Sequence, residues 1–490
     1  MRPKKNKILD YEPVTRSGRA RIEEPEAPNL DPFFAGESPR ETDGGRQIKN
    51  SDSDVLAISS ERHTNWLVRR GHIVSFAGIF LFTIAVYLRP YELIPALMPL
   101  HTMAFWVALA TILVFLPIQL GLEGNLTSRP REVNLLLLLC AAVLLSVPLG
   151  DDPANSFNSF FDFLKVVLIF VVMVNVIRTE SRWKFLVLLL LLISCFLGVS
   201  AVWDYRAGFQ LIEGDRVTGS IGNMFKNPND LALHLVTMVP ISVGLFLSTR
   251  NPFTKVFYAF CAVFMLAGIM VTQSRGGLVG LVFAGGVLLW KLIPRSRMLA
   301  LAALLILGGA FVVFAPGGFA GRFSTVLEDG RFSSAGARKD DLKRSIIVTL
   351  RHPLFGIGIG NYRFRSNRAV ATHNSYTQVS AEAGIAAMVI YIMFLLTPLK
   401  RLRALERDTV LDRKKARFHY LAIGMQASLV GYMVCSLFAS VAFLWYVYYL
   451  VALSVCLYRL YEIEQGIAVK GRTNDRNVAA LPDQPRMAVT

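Results

Sequence analysis

The sequence predicts an all-α polytopic membrane protein with about twelve transmembrane helices and one large outward-facing loop. Of its 490 residues, 53% are hydrophobic and 18% are charged, whereas a soluble domain carries about 25% charged residues. Apolar runs such as LVLLLLLISCFLGV, near residue 187, are long enough to cross about 30 Å of hydrocarbon as helices. The composition therefore excludes an ordinary soluble domain.

Runs of about 17 to 22 apolar residues set the expected helices. They lie near residues 72–88, 102–120, 134–149, 159–177, 183–203, 231–248, 255–272, 276–292, 298–315, 383–398, 420–438 and 440–460. The apolar pattern also permits the second helix to begin at Leu93, and only a tight turn separates the last two helices. The sequence is therefore consistent with ten to thirteen membrane spans. An even number such as twelve places both termini on one side of the membrane.

The distribution of basic residues predicts the orientation. The net charge is +17, and most of the Lys and Arg residues of the short loops fall on the side of the termini. By the positive-inside rule both termini are cytoplasmic, and the candidate site faces outward. Because such an excess is typical of cytoplasmic loops, the charge does not point to nucleic acid.

This orientation divides the chain into five predicted regions. Residues 1–70 form a disordered cytoplasmic tail, 71–315 hold helices one to nine, 316–382 form a large outward-facing loop, 383–460 hold helices ten to twelve, and 461–490 form a second cytoplasmic tail. The N-terminal tail is too polar to offset the entropy of ordering. No internal repeat is evident in the sequence.

Cysteine and acidic residues give no pattern of a metal site. All five cysteines fall inside apolar segments, where they are expected to act as small hydrophobic residues. The pairs Asp151–Asp152 and Asp340–Asp341 lie in contexts that do not suggest metal ligands. The sequence therefore implies no catalytic metal and no cofactor.

The motif TQSRGG, from Thr272 to Gly277, separates two apolar helices with almost no loop. Arg275 directly precedes a helix, so the motif combines a guanidinium with a helix N-terminus, a combination suited to phosphate. Gly276 carries no side chain that keeps a ligand from the backbone. The alternative is an interfacial arginine that reaches water from a tight turn.

The motif RVTGSIGNMFKNPNDLA, from Arg216 to Ala232, is rich in turn-forming residues. Asn229 or Asp230 is placed to cap a helix that starts at Leu231. Arg216 is one of two cations in the segment. The alternative is a loop that only caps a helix.

Two further motifs frame the re-entry of the outer segment into the membrane. HPLFGIGIGNY, from His352 to Tyr362, predicts a tight turn rather than a dinucleotide fingerprint, because it lacks the register of a following helix and lies outside the cell, where nicotinamide nucleotides are scarce. HNSYTQVSAEAG starts at His373, whose imidazole is suited to general-base catalysis near neutral pH. The alternative is a histidine that caps a helix. Lys165 and His234, inside apolar helices, are interpreted as local or packing features.

These motifs, in this order and on one face, resemble the O-antigen ligase and polymerase superfamily of bacterial envelopes. The resemblance rests on Arg216 with Gly219 and Asn229, on residues 272–277, on residues 352–362 and on residues 373–384, and it extends from about residue 130 to 455. It implies a GT-C-like glycosyltransferase of the bacterial inner membrane, with its active site and its large outer loop in the periplasm. The implied donor is an undecaprenyl-diphosphate-linked glycan, and the implied transfer proceeds without metal and with inversion.

The resemblance also implies roles for individual residues. His373, Arg275 and Arg216 are the expected catalytic residues, with the two arginines on the diphosphate and His373 on the acceptor hydroxyl. The expected substrate-binding residues are Asn229, Ser274, Gly276, Arg338, Arg344, Asn374, Tyr376 and Glu382. Asn374 and Glu382 are also expected to orient His373 and its helix.

The acceptor is less defined than the donor. The favoured acceptor is lipid A-core, as for an O-antigen ligase; an O-antigen or exopolysaccharide polymerase and a protein O-glycosylating ligase are alternatives. A small-solute transporter is the competing class. Transporters place functional charges near mid-membrane between broken helices, whereas the candidate residues here gather at one face.

Overall fold

The computed structural model describes residues 72–212, 216–293, 296–314, 334–365 and 371–466, which are almost entirely helical. The predicted N-terminal tail lies outside the described residues, as do residues 467–490 of the predicted C-terminal tail and residues 316–333 of the predicted loop. The two-stranded pair β1 (Leu211–Ile212) and β2 (Arg216–Val217) is antiparallel, with Ile212 opposite Arg216.

Each of the twelve predicted apolar segments contains a helix. The helices in chain order are α1 (Ile73–Thr83, continued by the π-helical turn Ile84–Leu88), α2 (Pro90–Leu93), α3 (Met103–Glu123), α4 (Arg131–Ser146), α5 (Pro153–Val176), α6 (Glu180–Ala207), α7 (Gly222–Phe225), α8 (Pro228–Ser248), α9 (Pro252–Val271), α10 (Arg275–Leu292), α11 (Arg297–Phe314), α12 (Ser334–Arg351), α13 (Tyr362–Arg365), α14 (Ser375–Thr409), α15 (Ala416–Cys435) and α16 (Trp445–Glu464). Short 3-10 turns lie at Pro95–Leu100 and Arg413–Lys415.

The length and composition of these helices identify a polytopic membrane protein. Within the described residues, nine segments are long and apolar enough to cross a membrane. The predicted count of twelve is not confirmed: α4, for example, has only 16 residues. Helix α16, another of the remaining three, is rich in tyrosine, which lowers its hydropathy.

Several helices begin earlier than the apolar pattern predicted, because polar residues cap their first turns. Asp152 accepts a hydrogen bond from the Asn155 amide at 3.0 Å at the start of α5. Asn227 caps α8, and Pro228 follows it at the first helical position. The expected cap at Asn229 or Asp230 is therefore wrong, because proline is favoured at the first helical position and the helix starts there.

Helices α8 and α15 form the centre of the fold. In the most apolar window of each, 78% and 72% of residues are buried, compared with 17% for α3. Their backbones approach closely: a Cβ atom on Gly424 would lie 2.6 Å from the carbonyl oxygen of Pro240. Small residues at such a crossing allow van der Waals packing between helices in a membrane.

The segment predicted as an outer loop holds regular structure of its own. Helix α12 lies within it, and α14 begins at Ser375 rather than at residue 383. The φ of Gly384 is 90°, which breaks the helical backbone of α14. The first turns of α14 are therefore a separate helical piece beside α12.

The two polar residues inside apolar helices have local partners. His234 is buried, and its Nε2 lies 2.9 Å from Ser194 Oγ among the rings of Tyr87, Phe225 and Tyr446. Lys165 pairs with Asp162 one turn earlier in α5, at 2.8 Å. Both interpretations, as packing and local features, are confirmed. The five cysteines form no disulfide.

Candidate functional site

Three of the predicted site residues meet at one oxygen atom. Asn229, in the first turn of α8, accepts a hydrogen bond through Oδ1 from Arg216 Nη2 at 2.9 Å. The same oxygen accepts a hydrogen bond from Ser274 Oγ, also at 2.9 Å. Arg216 Nε donates to the carbonyl of Thr272 at 3.2 Å. The loop with Arg216 is thereby fixed against the TQSRGG turn.

The TQSRGG turn forms the start of α10. Ser274 is the N-cap and accepts from the Gly277 amide at 3.2 Å, so half-buried Arg275 is the first helical residue. Gln273 has a φ of 47°, a left-handed conformation that is uncommon for a residue other than glycine. Such strain persists only where the surroundings hold it.

The glycines of this turn serve helix packing. A Cβ atom on Gly276 would lie 2.8 Å from Phe438 Cβ, and one on Gly277 would lie 2.7 Å from Ala232 Cβ. The space that was expected to admit a ligand at Gly276 is therefore occupied, on the Cβ side, by the chain itself.

The loop with His373 is bound to the turn between α15 and α16. Ser375 donates its amide to the carbonyl of Ser436 at 2.9 Å and its hydroxyl to the carbonyl of Ala439 at 2.7 Å. Thr372 Oγ1 lies 2.9 Å from Ser440 Oγ. The φ of His373 is 55°, so both the TQSRGG turn and this loop contain a strained non-glycine residue.

The turn at residues 436–441 connects the two loops. Phe438 packs on Gly276 at the start of α10, while the carbonyl of Leu437 accepts a hydrogen bond from Asn374 Nδ2 at 3.1 Å. The motifs of Arg275 and His373 therefore contact neighbouring residues of one short segment. The sequence analysis missed this turn, since its contacts are backbone carbonyls and small hydroxyls.

Asn374 and Tyr376 use their polar atoms for protein contacts. Asn374 caps α14 by accepting from the amides of Tyr376 and Thr377 at 2.9 and 3.0 Å. Tyr376 donates its hydroxyl to the carbonyl of Met433 at 2.9 Å and accepts from Ser436 Oγ at 3.2 Å. These contacts agree with a role for Asn374 in orienting the helix. The contacts of Tyr376 hold the start of α14 against the end of α15.

Charged residues of α12 act on the imidazole. Burial lowers the pKa of His373 below its ordinary value, the cation of Arg338 lowers it further, and the carboxylate of Asp341 opposes both effects. A lowered pKa keeps the imidazole neutral, the form that accepts a proton, at neutral pH. Arg344, on the same helix, donates to the carbonyl of Arg365 at 3.1 Å and so holds the neighbouring turn.

The glycine motif at residues 352–362 is a turn, as predicted. Gly356, Gly358 and Gly360 all have positive φ, between 67° and 88°. The amide of Ile357 donates to the carbonyl of Ala381 at 2.9 Å, and Ile385 donates to the carbonyl of Pro353 at 2.8 Å. The turn thus supplies partners for the backbone groups freed by the break in α14.

A second contact that the sequence analysis missed holds this turn to the start of α5. Buried Asn361 donates through Nδ2 to Ser156 Oγ at 3.0 Å and accepts through Oδ1 from Asn155 at 2.8 Å. Arg365 forms a bidentate pair with Asp151 at 2.6 and 2.7 Å, and this bond holds the pKa of Asp151 below its ordinary value. The asparagine-rich start of α5 is the feature of the sequence that could have predicted this contact.

Glu382 lies at a small cavity beside the His373 loop. Its Oε1 accepts from the Tyr362 amide at 3.4 Å, so it contacts the glycine turn rather than His373. The cavity, of about 230 Å³, is lined by Ser159, Gly360, Tyr362, Arg363, Ala371, Thr372, Gln378 and Glu382. Glu382 Oε2 and Gln378 Oε1 are buried, and neither atom accepts a hydrogen bond of full geometry from a described residue, although the two side chains contact each other.

Possible metal ligands do not gather in the part of the chain that the structure describes: no group of three His, Cys, Asp or Glu side chains is placed to hold an ion there. Besides the carboxylates of Asp341 and Glu382, the polar groups around the candidate site are guanidinium, amide, imidazole and hydroxyl groups. Such groups recognise diphosphate and sugar by charge and hydrogen bonds.

The comparison with known families covers a segment that contains several of the predicted site residues. Residues 260–392 match the model of the Wzy_C family, described as O-antigen ligase. This segment includes Arg275, Arg338, Arg344, His373 and Glu382, whereas Arg216 and Asn229 precede it. None of the curated proteins matches the chain. The family match confirms, over residues 260–392, the resemblance to the O-antigen ligase superfamily that the motifs predicted.

Proposed function

We propose that the protein transfers a glycan from an undecaprenyl-diphosphate carrier to a hydroxyl of an acceptor, on the periplasmic face of the inner membrane. The reaction is independent of metal and inverts the configuration at the anomeric carbon. The favoured acceptor is lipid A-core. The family match supports an O-antigen ligase-like function in general; the donor, the acceptor and the mechanism are our proposal.

One observation carries the proposal: motifs from distant parts of the sequence converge on the starts of α8, α10 and α14. Asn229 joins Arg216 to the TQSRGG turn, and residues 436–441 join that turn to the His373 loop. A site for group transfer requires the cation for the leaving group and the base for the nucleophile at one place.

The chemistry follows from the charges of these groups. The acceptor oxygen forms a bond to the anomeric carbon while His373 takes the hydroxyl proton. The bond from that carbon to the diphosphate oxygen breaks, and its electron pair leaves with the diphosphate. Direct displacement gives inversion. The leaving group gains negative charge, which a fixed cation in a site of low dielectric stabilises.

The two arginines have different parts in this scheme. Arg275, half-buried at the first position of α10, adds its charge to the positive end of the helix dipole and faces the diphosphate. Arg216 is buried and donates to Asn229 and to the carbonyl of Thr272. It therefore supplies charge while it holds the TQSRGG turn in place.

The cavity at Glu382 suits a sugar of the acceptor. Gln378 and Glu382 line it, and each has one buried oxygen atom, Oε1 of Gln378 and Oε2 of Glu382, that accepts no hydrogen bond of full geometry from a described residue. Unpartnered buried acceptors are costly, and sugar hydroxyls are donors that would satisfy them. We expect Glu382→Gln, which keeps the acceptor oxygen for Tyr362, to raise the KM for the acceptor more than it lowers kcat. A fall in kcat alone would contradict this assignment.

An in vitro transfer assay with the purified protein and a lipid-linked glycan tests the proposal. His373→Ala and Arg275→Ala should each reduce transfer by at least about 100-fold, the effect typical of losing a general base or an electrostatic group. Arg275→Lys keeps the charge and should retain part of the rate. Unaltered rates in both Arg275 variants would remove the diphosphate role.

The host organism distinguishes the possible acceptors. Deletion of the gene, followed by electrophoresis of envelope glycans, should leave polymer on the undecaprenyl carrier and none on lipid A-core. A single repeat unit still attached to its acceptor would identify a polymerase instead. Full complementation by His373→Ala would contradict the base assignment and favour the transporter.

A further inference from the structure

A large cavity lies at the end of the fold opposite to the candidate site. Helix α10 runs from Arg275 at the site to Leu292, a distance of about 27 Å at 1.5 Å per residue. The cavity, of about 870 Å³, lies along the second half of α10, between it and α11, α14 and α15. Its size is within the range of about 300–1,000 Å³ typical of ligand pockets.

The walls of this cavity change from apolar to basic along the helix axis. Val282, Phe283 and Val287 of α10 face it, with Leu301 and Leu304 of α11. Towards the end of α10 the lining is charged: Lys291, Arg297, Arg403, Arg407 and the single carboxylate Glu406. A ligand that fits has an apolar part along the helices and an anionic group at their ends.

The four cations differ in how the protein uses them. Lys291 pairs with Glu406, and Arg297 lies over the ring of Trp290, 4.3 Å from its centroid. Arg403 and Arg407 are exposed, one helical turn apart on α14, and no described residue forms a hydrogen bond or ion pair with either. These two guanidiniums are therefore available to an anion at the cavity mouth.

We propose that this cavity binds an anionic phospholipid of the adjacent leaflet, with its phosphate at Arg403 and Arg407 and its acyl chains along α10. Basic pockets between transmembrane helices select anionic head groups in this way. Arginine suits phosphate, since its planar group donates two parallel hydrogen bonds. Trp290 marks the level of the head groups, where tryptophan is enriched.

Fluorescence quenching of Trp290 tests the proposal without use of the transfer reaction. The full-length protein is placed in phosphatidylcholine vesicles that contain a small fraction of dibrominated phosphatidylglycerol or, in parallel, of dibrominated phosphatidylcholine. The difference between the protein and its Trp290→Phe variant isolates the signal of Trp290. We expect stronger quenching by the brominated anionic lipid, and equal quenching by both lipids would overturn the proposal.

A charge-matched pair of variants tests the arginines. Arg403→Gln with Arg407→Gln should weaken the apparent affinity for phosphatidylglycerol about 30-fold, because each basic residue contributes about 1 kcal/mol near an anionic surface and 1.4 kcal/mol is tenfold. The control, Lys400→Gln with Lys414→Gln, removes the same charge from residues outside the cavity. Equal losses in both double variants would show a general surface effect and contradict the proposal.

Competition distinguishes the anionic phospholipid from a polyprenyl phosphate, which shares the phosphate group. Unlabelled phosphatidylglycerol should relieve the quenching of Trp290 more effectively than undecaprenyl phosphate at the same fraction. The reverse order would overturn the assignment to a phospholipid. Thermal unfolding of each variant in detergent verifies that it is folded, so a loss of quenching reports on binding.

Discussion

Asn229 holds two predicted site residues through one oxygen atom. Its Oδ1 accepts from Arg216 at 2.9 Å and from Ser274 at 2.9 Å. A hydrogen bond to a charged group contributes about 1.5–3 kcal/mol, and the partners here are partly buried. The position of the TQSRGG turn relative to Arg216 therefore depends on the acceptor at residue 229.

Substitution of Asn229 separates this acceptor from the bulk of the side chain. We expect Asn229→Leu, which has a similar size and no oxygen, to lower kcat of glycan transfer by about tenfold to 100-fold, the loss of one such bond. Asn229→Asp keeps the oxygen and should retain more activity. If the leucine variant were as active as the wild type, Asn229 would not position the arginine.

The lowered pKa of His373 predicts the pH dependence of the reaction. Burial and Arg338 both disfavour the imidazolium, so the neutral base persists as pH falls below the ordinary pKa of about 6.5. Activity should decline only as pH falls through the lowered pKa. A pH profile of kcat measures this acidic limb.

The charge of Arg338 gives the matched control for this profile. Arg338→Gln removes a cation that lowers the pKa of His373, so the acidic limb should move to higher pH. Arg338→Lys retains the cation and should leave the limb near its wild-type position. Since burial is the larger cause, part of the shift should survive in Arg338→Gln. If the acidic limb of the Arg338→Gln profile stayed at the wild-type pH, Arg338 would not influence the pKa of His373.

The break in α14 lets the first piece of this helix pack against the turn at residues 353–358. Gly384 has φ 90° and ψ 169°, a region that is essentially restricted to glycine. The turn at residues 353–358 donates to and accepts from the backbone on both sides of the break. The first piece of α14, which holds Glu382, is thereby set at an angle determined by that turn.

Alanine at residue 384 should displace the glycine turn. A Cβ atom there would lie 2.1 Å from the carbonyl oxygen of Leu354, whereas one on Gly208, which also has positive φ, meets nothing within 4 Å. Gly208→Ala therefore incurs only the conformational cost, about 1–2 kcal/mol. We expect Gly384→Ala to lower the Tm in detergent by more than Gly208→Ala does. Equal shifts would show that the turn adapts without cost.

The helices were predictable from local sequence, and the site only in part. An apolar run shows the centre of a helix such as α8, but its first turn holds Pro228 and Asn229 and carries no apolar signal. The sequence predicted a loop where helix α12 lies, because the many charged residues of this helix give no apolar pattern. The contacts of residues 371–376 with 436–441 join positions more than 60 residues apart, so no local pattern reveals them.

At the scale of the whole molecule, the two described ends of the helices differ in chemistry. The starts of α8, α10 and α14 hold the imidazole, the strained loops and the sugar-sized cavity, while the ends of α10 and α14 hold the basic cavity at Arg403 and Arg407. Under the proposed topology the first end faces the periplasm. The proposed lipid-linked donor and acceptor then meet on the side where envelope glycans are assembled.

Single cysteines at the two ends test this topology. Lys339 on α12 and Ala404 on α14 are both exposed, and they lie at opposite ends of the fold. In spheroplasts, a membrane-impermeant maleimide should label Lys339→Cys, and should label Ala404→Cys only after permeabilisation. Both variants should react in detergent, while the wild type reports the background from its five cysteines. The reverse order of labelling would invert the topology.

The turn at residues 436–441 also imposes an order on biogenesis. The ribosome synthesises the His373 loop more than 60 residues before this turn, and at about 5–20 residues per second several seconds pass between them. Until the turn has been synthesised, Thr372, Asn374 and Ser375 lack the partners that hold the loop. In the nascent chain, therefore, the His373 loop acquires these partners only after the turn that follows α15 has been synthesised.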